Sequence, residues 1–528
     1  MRWIITRHIA RSSLRWAAVW GLVFGLFAIS SAKAYLIGYP TIGERLLVAP
    51  TLQSFSILLG QPYHAETVAG FTMWRVLVVI ALIGGVWGLL TSTGLLRGDE
   101  EAGRWELLLA GQTTKRRGAL QALIGLGIAV AAMFAVAAAL DVAAGAIAGA
   151  RFTVTGSLFF AVAMVSSAAM FTAIGAVTSQ IGATRGQAAM LAGAALGASF
   201  LIRMIADSTR GLAWLRWLSP IGWVEEMRPL RDPQPQALLP VVALVVAYVI
   251  ATLVMAERRD LGASILRERP SSSSSRWLVG PTSLAIRLVR PAAIGWFLGI
   301  VSMAAVQGYV ARSAATLLSS SPAFASALGR LGLTKASQAY LGVSFLTIAV
   351  LIAVLAASQV SAIRDEEGAG RLDNLVVRPV RRLVWLFGRA GVSLSLVLLC
   401  GAGSGLVTWL AATSQRLNIS LATLLEAGMN ATVPAIFVIG AGVLVLGLRP
   451  RLTAAVAYGL VAYSFLVLLV ASLAKGSDWL KDSSLFAHIK LAPAAKPDWG
   501  EAGIVVLIGA ALLVLGSLAF RGRDLSYT

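Results

Sequence analysis

The chain has 528 residues, of which 58% are apolar and 13% are charged, and its formal net charge is +20. Soluble domains carry about 25% charged residues, so this sequence has too little polar surface to cover several water-soluble domains. We therefore predict an all-α polytopic membrane protein, and we exclude a nucleic-acid-binding role because the basic residues lie in short stretches between apolar runs.

The apolar runs predict about twelve transmembrane helices, since one span needs about 20 mostly apolar residues. Basic amphipathic segments precede the first and the seventh run, at 1–16 and 283–290, and their pattern is typical of elbow helices that lie in the membrane interface. The predicted spans are 17–37, 72–95, 120–141, 154–178, 187–206, 237–256, 292–312, 339–362, 387–412, 426–447, 453–474 and 500–520.

The basic residues also orient the spans. With twelve spans, the most arginine-rich loops and both termini fall on one face, which the positive-inside rule assigns to the cytoplasm. These loops follow the second, sixth and eighth spans. We therefore expect a multi-pass membrane protein whose N- and C-termini are cytoplasmic.

Two short motifs recur at a nearly constant distance. Asp99-Glu100-Glu101-Ala102-Gly103-Arg104 follows the second span, and Glu366-Glu367-Gly368-Ala369-Gly370-Arg371 follows the eighth. Arg259-Asp260-Leu261 after the sixth span is matched by Arg523-Asp524-Leu525 after the twelfth. The paired arginines lie 267 and 264 positions apart. Two pseudo-symmetric six-helix halves, 1–262 and 283–528, joined by a polar cytoplasmic segment 263–282, explain this register; chance similarity of charged loops is the alternative.

The repeated acidic turn is the most distinctive inner feature. Its glycine permits a tight turn, and its carboxylates can form salt bridges with a partner. Acidic residues do not help a loop to bind an anionic membrane surface, so we predict docking of another protein, with headgroup anchoring as the alternative. The sequence has no GxxxxGK[ST] phosphate loop, one cysteine and three scattered histidines, and we expect no cofactor or metal in this chain.

The sequence of this turn resembles a loop that is found in a known family. The segment 101–109 with the basic cluster Lys115-Arg116-Arg117 is similar to the coupling loop of ABC-2 type permeases, the membrane subunits of type V ABC exporters. Leu218-Ser219-Pro220-Ile221-Gly222-Trp223 resembles the closing region of that family, in particular the fused twelve-span permeases of actinobacterial antibiotic exporters. The second closing region, Leu491-Ala492-Pro493, keeps the proline without the serine. Arg104 and Arg371 replace a threonine of the family pattern.

The resemblance implies a permease of the bacterial cell membrane that exports hydrophobic drugs, antibiotics or lipid-like molecules by alternating access. It implies that the chain is not itself an enzyme, and that two separate ABC ATPase subunits, which bind ATP and magnesium, dock on its coupling helices near 97–118 and 364–386. Membrane lipids and the hydrophobic substrate are the other expected partners. The residues expected at the ATPase contacts are Glu100, Glu101, Gly103, Arg104, Glu106, Glu366, Glu367, Gly370, Arg371 and Asp373.

The family also implies a translocation path lined by the second and fifth spans of each half. An apolar wall with aromatic and methionine side chains suits varied hydrophobic molecules, although each side chain could instead face lipid or pack between helices. Glycines at four-residue spacing, Gly84 with Gly88 and Gly193 with Gly197, predict close helix packing. The residues expected along the path are Met73, Trp87, Phe200, Met204, Phe345 and Tyr463.

Two other functions stay open. A secondary carrier driven by an ion gradient needs carboxylates near the middle of the membrane; Asp141 and Glu426 are the candidates, and we expect each to snorkel or cap. A non-transporting membrane scaffold is the third possibility. Arg203 and Asp207, four residues apart on one helix, are expected to pair near the outer surface.

Overall fold

The computed structural model shows an all-α chain that divides into two compact units, Met1–Ser271 (unit 1) and Ser272–Thr528 (unit 2). The residues that it describes contain helices and short connections and no β-strand. Residues 263–279 of the predicted joint 263–282 lie outside the described part of the chain. The role of the joint as a linker therefore stays a prediction. The described residues are 3–53, 56–109, 114–208, 210–260, 280–319, 336–368, 381–471 and 482–523.

Unit 1 contains the helices of the first six predicted spans and several short helices between them. A π-helical turn, Gly94–Gly98, prolongs the second span, and 3-10 helices lie at Arg210–Leu218 and Pro235–Ala237. The α-helices are α1 (Ile4–Gly38), α2 (Ile42–Leu52), α3 (Ser56–Leu59), α4 (Val68–Thr93), α5 (Asp99–Glu101), α6 (Arg104–Leu109), α7 (Lys115–Gly145), α8 (Val154–Ile181), α9 (Arg185–Ser208), α10 (Pro220–Glu226) and α11 (Leu238–Arg258).

Unit 2 repeats this order with fewer short helices among its described residues. Its 3-10 helices lie at Pro450–Leu452 and Leu485–His488. The α-helices are α12 (Pro281–Ser319), α13 (Ala336–Gly368), α14 (Arg382–Ser414), α15 (Leu421–Asn430), α16 (Val433–Leu448), α17 (Thr453–Ala471) and α18 (Trp499–Gly522).

Eleven helices in the described part of the chain are long and apolar enough to cross a membrane. This finding confirms an all-α polytopic membrane protein. The predicted span 453–474 falls on α17, whose last described residue is Ala471. The count of twelve spans therefore stays a prediction.

Two helices begin earlier than the apolar runs. α1 has 35 residues and α12 has 39, so at 1.5 Å per residue each is about 50–60 Å long, against about 30 Å for the hydrocarbon core. The basic segments at 1–16 and 283–290 are thus extensions of the spanning helices over their described residues, and not separate interfacial helices. Pro291 lies inside α12, where it removes one backbone hydrogen bond without ending the helix.

The predicted span 426–447 is divided in the structure. α15 ends at Asn430, and α16 begins at Val433, with Pro434 in its first turn. A proline is tolerated there because the first N–H groups of a helix have no acceptor within the helix. Hydropathy does not detect the break, since both helices are apolar.

Corresponding helices pack together in the two units. In unit 1, α1 packs along α7, α4 packs along α8, and α11 packs against α8. In unit 2, α12 packs along α14, α13 along α16, and α18 along α16. Each unit has its own apolar core, built around Phe160 and Phe171 in unit 1 and around Ile352 and Val397 in unit 2.

Glycine sets the distance between α4 and α8. A Cβ atom on Gly88 would lie 2.5 Å from the backbone oxygen of Ala168, and one on Gly84 would lie 3.4 Å from the Ala168 side chain. The close packing predicted for this pair is confirmed. Gly193 and Gly197 differ, because no atom of the described residues lies within 4 Å of a Cβ atom added at either. For these two the prediction of close packing was wrong.

Gly88→Val is expected to lower the thermal stability of the purified protein, because the clash with the Ala168 carbonyl forces α4 and α8 apart. Overpacking of this kind costs about 1–3 kcal/mol. Gly197→Val is the matched control, since it adds the same β-branched side chain to a helix at an open position. Equal melting temperatures for the two variants in detergent would contradict the packing described for Gly88.

Candidate functional site

The acidic turn of unit 1 follows α4 through the π-helical turn. α5 carries the acidic residues, and α6 begins at Arg104 after a two-residue connection. Gly103 in this connection has a φ of +71°, a left-handed conformation that favours glycine. The left-handed backbone between α5 and α6 therefore explains why the motif has a glycine at this position.

Glu100 lies inside this turn and joins three parts of unit 1. Its Oε2 accepts a hydrogen bond of 2.6 Å from Nη2 of Arg259, at the end of α11, and lies 3.3 Å from Nη1 of Arg97. The Nε of Arg97 donates to the carbonyl of Ala183, between α8 and α9, at 3.0 Å. All three side chains are at most 9% exposed. We call the Glu100–Arg259 pair the clasp of unit 1.

Unit 2 contains the same arrangement. Nη2 of Arg523, just beyond α18, donates to both carboxylate oxygens of Glu367 at 2.7 and 2.9 Å, and this pair is the clasp of unit 2. The Nε of Arg364 donates to the carbonyl of Pro450 at 3.2 Å. Glu100 and Glu367 lie 267 positions apart, as do Ala183 and Pro450. The spacing of 267 positions that relates the sequence motifs therefore also relates these contacts in the two units.

A further contact supports each clasp from the next helix. Nζ of Lys115, in the first turn of α7, donates to the backbone oxygen of Arg259 at 3.0 Å. Nη1 of Arg382, in the first turn of α14, donates to the backbone oxygen of Arg523 at 3.0 Å. The basic residue after each turn thus holds the backbone that carries the clasp arginine.

Three of the predicted acidic docking residues consequently form ion pairs within their own unit. Glu100 and Glu367 form the clasps, and Glu366 pairs with Nη2 of the buried Arg389 at 2.8 Å. Charge reversal at these positions would disturb the ion pairs within a unit before it disturbed a partner. The sequence shows the charges, but it does not show that their partners lie on helices far along the chain.

Other predicted docking residues lie on the surface of the turn. The side chains of Glu101, Arg104 and Glu106 are exposed. Two of them also have partners in unit 1: Glu101 accepts a 2.7 Å hydrogen bond from the backbone N–H of Arg185, and Arg104 pairs with Asp99 at 2.6 Å. Leu107 on α6 was not among the predicted docking residues, and its side chain is 80% exposed. Gly370, Arg371 and Asp373, the corresponding residues of unit 2, lie outside the described residues.

Of the six residues predicted along the path, three are buried in the unit cores and three are at least partly exposed. Met73 and Trp87 belong to the core of unit 1, and Phe345 belongs to the core of unit 2. Tyr463 is exposed and shares a 2.9 Å hydrogen bond with Ser483. Phe200 and Met204 are half-buried on α9.

A buried network of charges lies at the end of α9 and in the segment that follows it. Arg203 and Asp207 pair at 3.1 Å, as predicted, and both side chains are fully buried within unit 1. Nε of Arg216 donates to Asp207 at 2.6 Å, and its Nη1 donates to Glu226 at 2.8 Å. Glu225 lies 3.7 Å from Arg203. Arg216, Glu225 and Glu226 were missed, although three charges between Leu215 and Met227 in an apolar segment are a signal of buried pairing.

The network also holds the loop before α4. Glu225 accepts a 2.8 Å hydrogen bond from the backbone N–H of Gln61, and a Cβ atom on Gly60 would lie 2.7 Å from the Glu225 carboxyl group. The guanidinium of Arg228 lies 3.8 Å from the centre of the Tyr63 ring. Burial and the neighbouring Asp207 carboxylate raise the pKa of Glu225 to about 7, because both disfavour a second negative charge.

At the ends opposite the clasps, the two units share one contact and differ in their charges. The hydroxyl of Ser219 donates to the backbone oxygen of Ser199 at 2.7 Å, and Ser484 donates to that of Ser464 at 2.6 Å. Both pairs are 20 residues apart, and each donor caps the helix that follows. The counterpart of Ser219 is therefore Ser484, and the alignment of Pro220 with Pro493 was wrong.

The charged network itself has no counterpart at the described equivalent positions of unit 2. The residues 265 positions after Arg203, Glu225 and Glu226 are Leu468, Lys490 and Leu491.

A model of a protein family matches most of the chain, at residues 14–256 and 278–521, one stretch in each unit. It is described as "Multidrug efflux system permease Rv1217c, C-terminal domain". The chain belongs to this family of multidrug efflux permeases. A relative from Mycobacterium tuberculosis, the multidrug efflux system permease protein Rv1217c, is 31% identical over 349 residues. That alignment covers 63% of this permease and 61% of the relative, which is less than two thirds of its length.

Glu100→Arg is expected to destabilise the permease, since it replaces the carboxylate that pairs with the buried Arg259 and Arg97 by a third positive charge. Removal of one partner of a buried ion pair costs about 3–5 kcal/mol. Adding Arg259→Glu restores an opposite pair and should recover part of the lost melting temperature. Glu106→Arg, on the exposed face of the same turn, is the control and should leave the stability unchanged. A double variant no more stable than Glu100→Arg alone would contradict the clasp.

The buried Glu225 is expected to make the permease less stable as the pH rises. Its pKa is raised from 4.5 to about 7 in the folded protein, so its contribution is fully present below about pH 4.5 and is lost as the pH rises through 7. The groups that face it are Asp207, Arg203, Arg216 and the backbone of Gln61.

The measurement is the melting temperature of the purified permease between about pH 5 and pH 8. Glu225→Gln keeps an oxygen that can accept from Gln61 and removes the titration, so its curve should be flatter than that of the wild type. Glu44→Gln, at an exposed position, is the control. The assignment is wrong if the wild type and Glu225→Gln lose stability in parallel.

Proposed function

We propose that this chain is the membrane-spanning subunit of an ATP-driven ABC exporter. It extrudes hydrophobic drugs, antibiotics or lipid-like molecules by alternating access, and separate ATPase subunits supply the energy. Membership of the multidrug efflux permease family supports the transport role. The observation that carries the ATP-driven mechanism is the turn of unit 1, which combines an exposed face with a buried clasp.

The clasp makes the turn able to transmit force. α5 and α6 are connected to α4 through the chain, to α11 through Glu100 and Arg259, and to the α8–α9 connection through Arg97 and Ala183. A displacement of α6 is therefore communicated to several spanning helices together. A turn held only by its two chain ends would bend before it moved them.

The exposed face supplies the docking chemistry. Leu107 fits an apolar cleft on a partner, and Glu101, Arg104 and Glu106 fit a charged rim around it, as in protein interfaces with a central apolar anchor. The ATPase subunits would bind ATP and magnesium themselves, because the sequence of this chain has no phosphate loop. Two clasps and two acidic turns favour two ATPase subunits for each permease.

The substrate path is proposed from the residues that lie outside the unit cores. Phe200 and Met204 on α9 and Tyr463 on α17 keep part of their surface accessible. Aromatic and methionine side chains adapt to hydrophobic molecules of different shape. Met73, Trp87 and Phe345 pack inside their units, so we expect them to shape the helices around the path.

The ion-driven carrier has one observation in its favour. Asp141 on α7 is fully buried, and neither carboxylate oxygen has a hydrogen-bond partner in the described structure. This burial contradicts the prediction from the sequence that Asp141 snorkels. A buried carboxyl group within a span can bind a proton or a cation, so Asp141 is the residue that this alternative would use. Glu426, the other candidate, is exposed.

Leu107→Lys is expected to reduce both drug-stimulated ATPase activity and efflux at least ten-fold, because it places a charge in the proposed apolar contact and hot-spot contacts are worth about 2 kcal/mol or more. ATPase activity is measured on the complex purified from the source cells and reconstituted in lipid, and efflux is measured in cells with ethidium. Leu47→Lys is the matched control, since Leu47 is 79% exposed on α2, away from the turn.

The same assays separate the other functions. A carrier driven by an ion gradient would export ethidium after ATP depletion, lose export with an ionophore, and depend on Asp141 in an Asp141→Asn variant. A scaffold would show neither efflux nor ATPase stimulation. Leu107→Lys with the efflux of the wild type would refute the docking surface, whichever energy source is used.

A further inference from the structure

A groove opens between the first turn of α7 and the last turn of α11. Its volume is about 630 Å³, and its walls are formed by three consecutive cationic residues, Lys115, Arg116 and Arg117, together with Leu120, Leu253 and Glu257. Cationic and apolar walls therefore meet in a single groove. The ATPase docking surface on α6 does not line it.

The cationic charge of the groove is only partly compensated. Lys115 pairs with Asp260 at 2.8 Å, and Arg116 pairs with Glu257 at 3.4 Å. Arg116 and Glu257 are both about 60% exposed, and exposed pairs of this kind contribute at most about 1 kcal/mol. Arg117 is exposed and makes no ion pair among the described residues. A net positive charge is therefore available to an anion.

The apolar walls continue beyond the groove along both helices. Leu120 and Ile128 on α7 are exposed, and so are Ile250 and Val254 on α11. Only three of the 21 residues of α11 are buried, so most of its surface faces outward from the unit. A ligand that fills the groove can extend hydrocarbon along this surface.

We propose that the groove binds one anionic phospholipid, such as phosphatidylglycerol. The lipid phosphate lies against Arg116 and Arg117, and the acyl chains lie along the exposed residues of α7 and α11. Basic pockets between spanning helices bind anionic headgroups in this way. A free phosphate ion would use the cations but would leave Leu120 and Leu253 without a role.

Unit 2 has apolar residues at two of the three cationic positions of the groove. The residues 267 positions after Lys115, Arg116 and Arg117 are Arg382, Leu383 and Val384. Val384 is 50% exposed, so an apolar side chain occupies the position of Arg117. The binding stoichiometry should therefore be one lipid per chain and not two.

The test is binding of phosphatidylglycerol to the purified full chain. The protein is held in phosphatidylcholine nanodiscs with increasing phosphatidylglycerol, and retained lipid is counted by native mass spectrometry. One phosphatidylglycerol per chain is expected. Arg117→Gln should raise its apparent dissociation constant about five-fold, the change that corresponds to about 1 kcal/mol for one cation near the membrane surface.

Arg15→Gln is the control, since Arg15 is an exposed arginine at the basic end of α1 and does not line the groove. An equal loss of binding in Arg15→Gln and Arg117→Gln, or two equivalent lipids per chain, would overturn the proposal in favour of general attraction to anionic membranes. Competition by inorganic phosphate at the concentration of the lipid would assign the groove to a free anion. Melting curves in phosphatidylcholine alone confirm that both variants are folded.

Discussion

A buried carboxylate–guanidinium pair closes one end of each unit, and the positions of the surrounding helices depend on it. Glu100 with Arg259 and Glu367 with Arg523 join the end of the second span of a unit to the end of its sixth. Charges so far removed from water are stable only while they are paired. The helices that carry them are therefore held at fixed distances, and the turn that follows the second span of a unit is held against the end of its sixth.

Hydropathy and internal repetition predicted much of this architecture. The apolar runs located the spanning helices, and the repeated motifs gave the register in which the contacts recur. The motif Arg259-Asp260-Leu261 was found, but only as a marker of repetition. Its pairing with Glu100 could not be predicted, because the two residues are 159 positions apart and the direction of a side chain is decided by tertiary packing. A charged turn has the same sequence whether its acids face a partner or an arginine of the same chain.

The roles of apolar side chains could not be predicted from the sequence for a different reason. Met73 and Phe345 have the chemistry of a drug-binding wall and equally the chemistry of a core, and only the neighbouring helices decide between the two. Glycine spacing was similarly ambiguous, since Gly88 lies close to α8 while Gly197 has no close neighbour in the part of the chain that the structure describes. Buried charges were more informative: an arginine and several acids in an otherwise apolar segment, such as Arg216 with Glu225 and Glu226, have few acceptable positions except against one another.

The two units resemble each other at the clasps and differ at their opposite ends, where the network of Arg203, Asp207 and Arg216 has no described equivalent. A symmetric homodimer of six-helix chains would carry every substitution twice, so a favourable change at one position would be imposed on its twin. In a fused polypeptide each half mutates alone. Such a protein can preserve a matched pair of clasps while the charges at the opposite ends of its two units diverge.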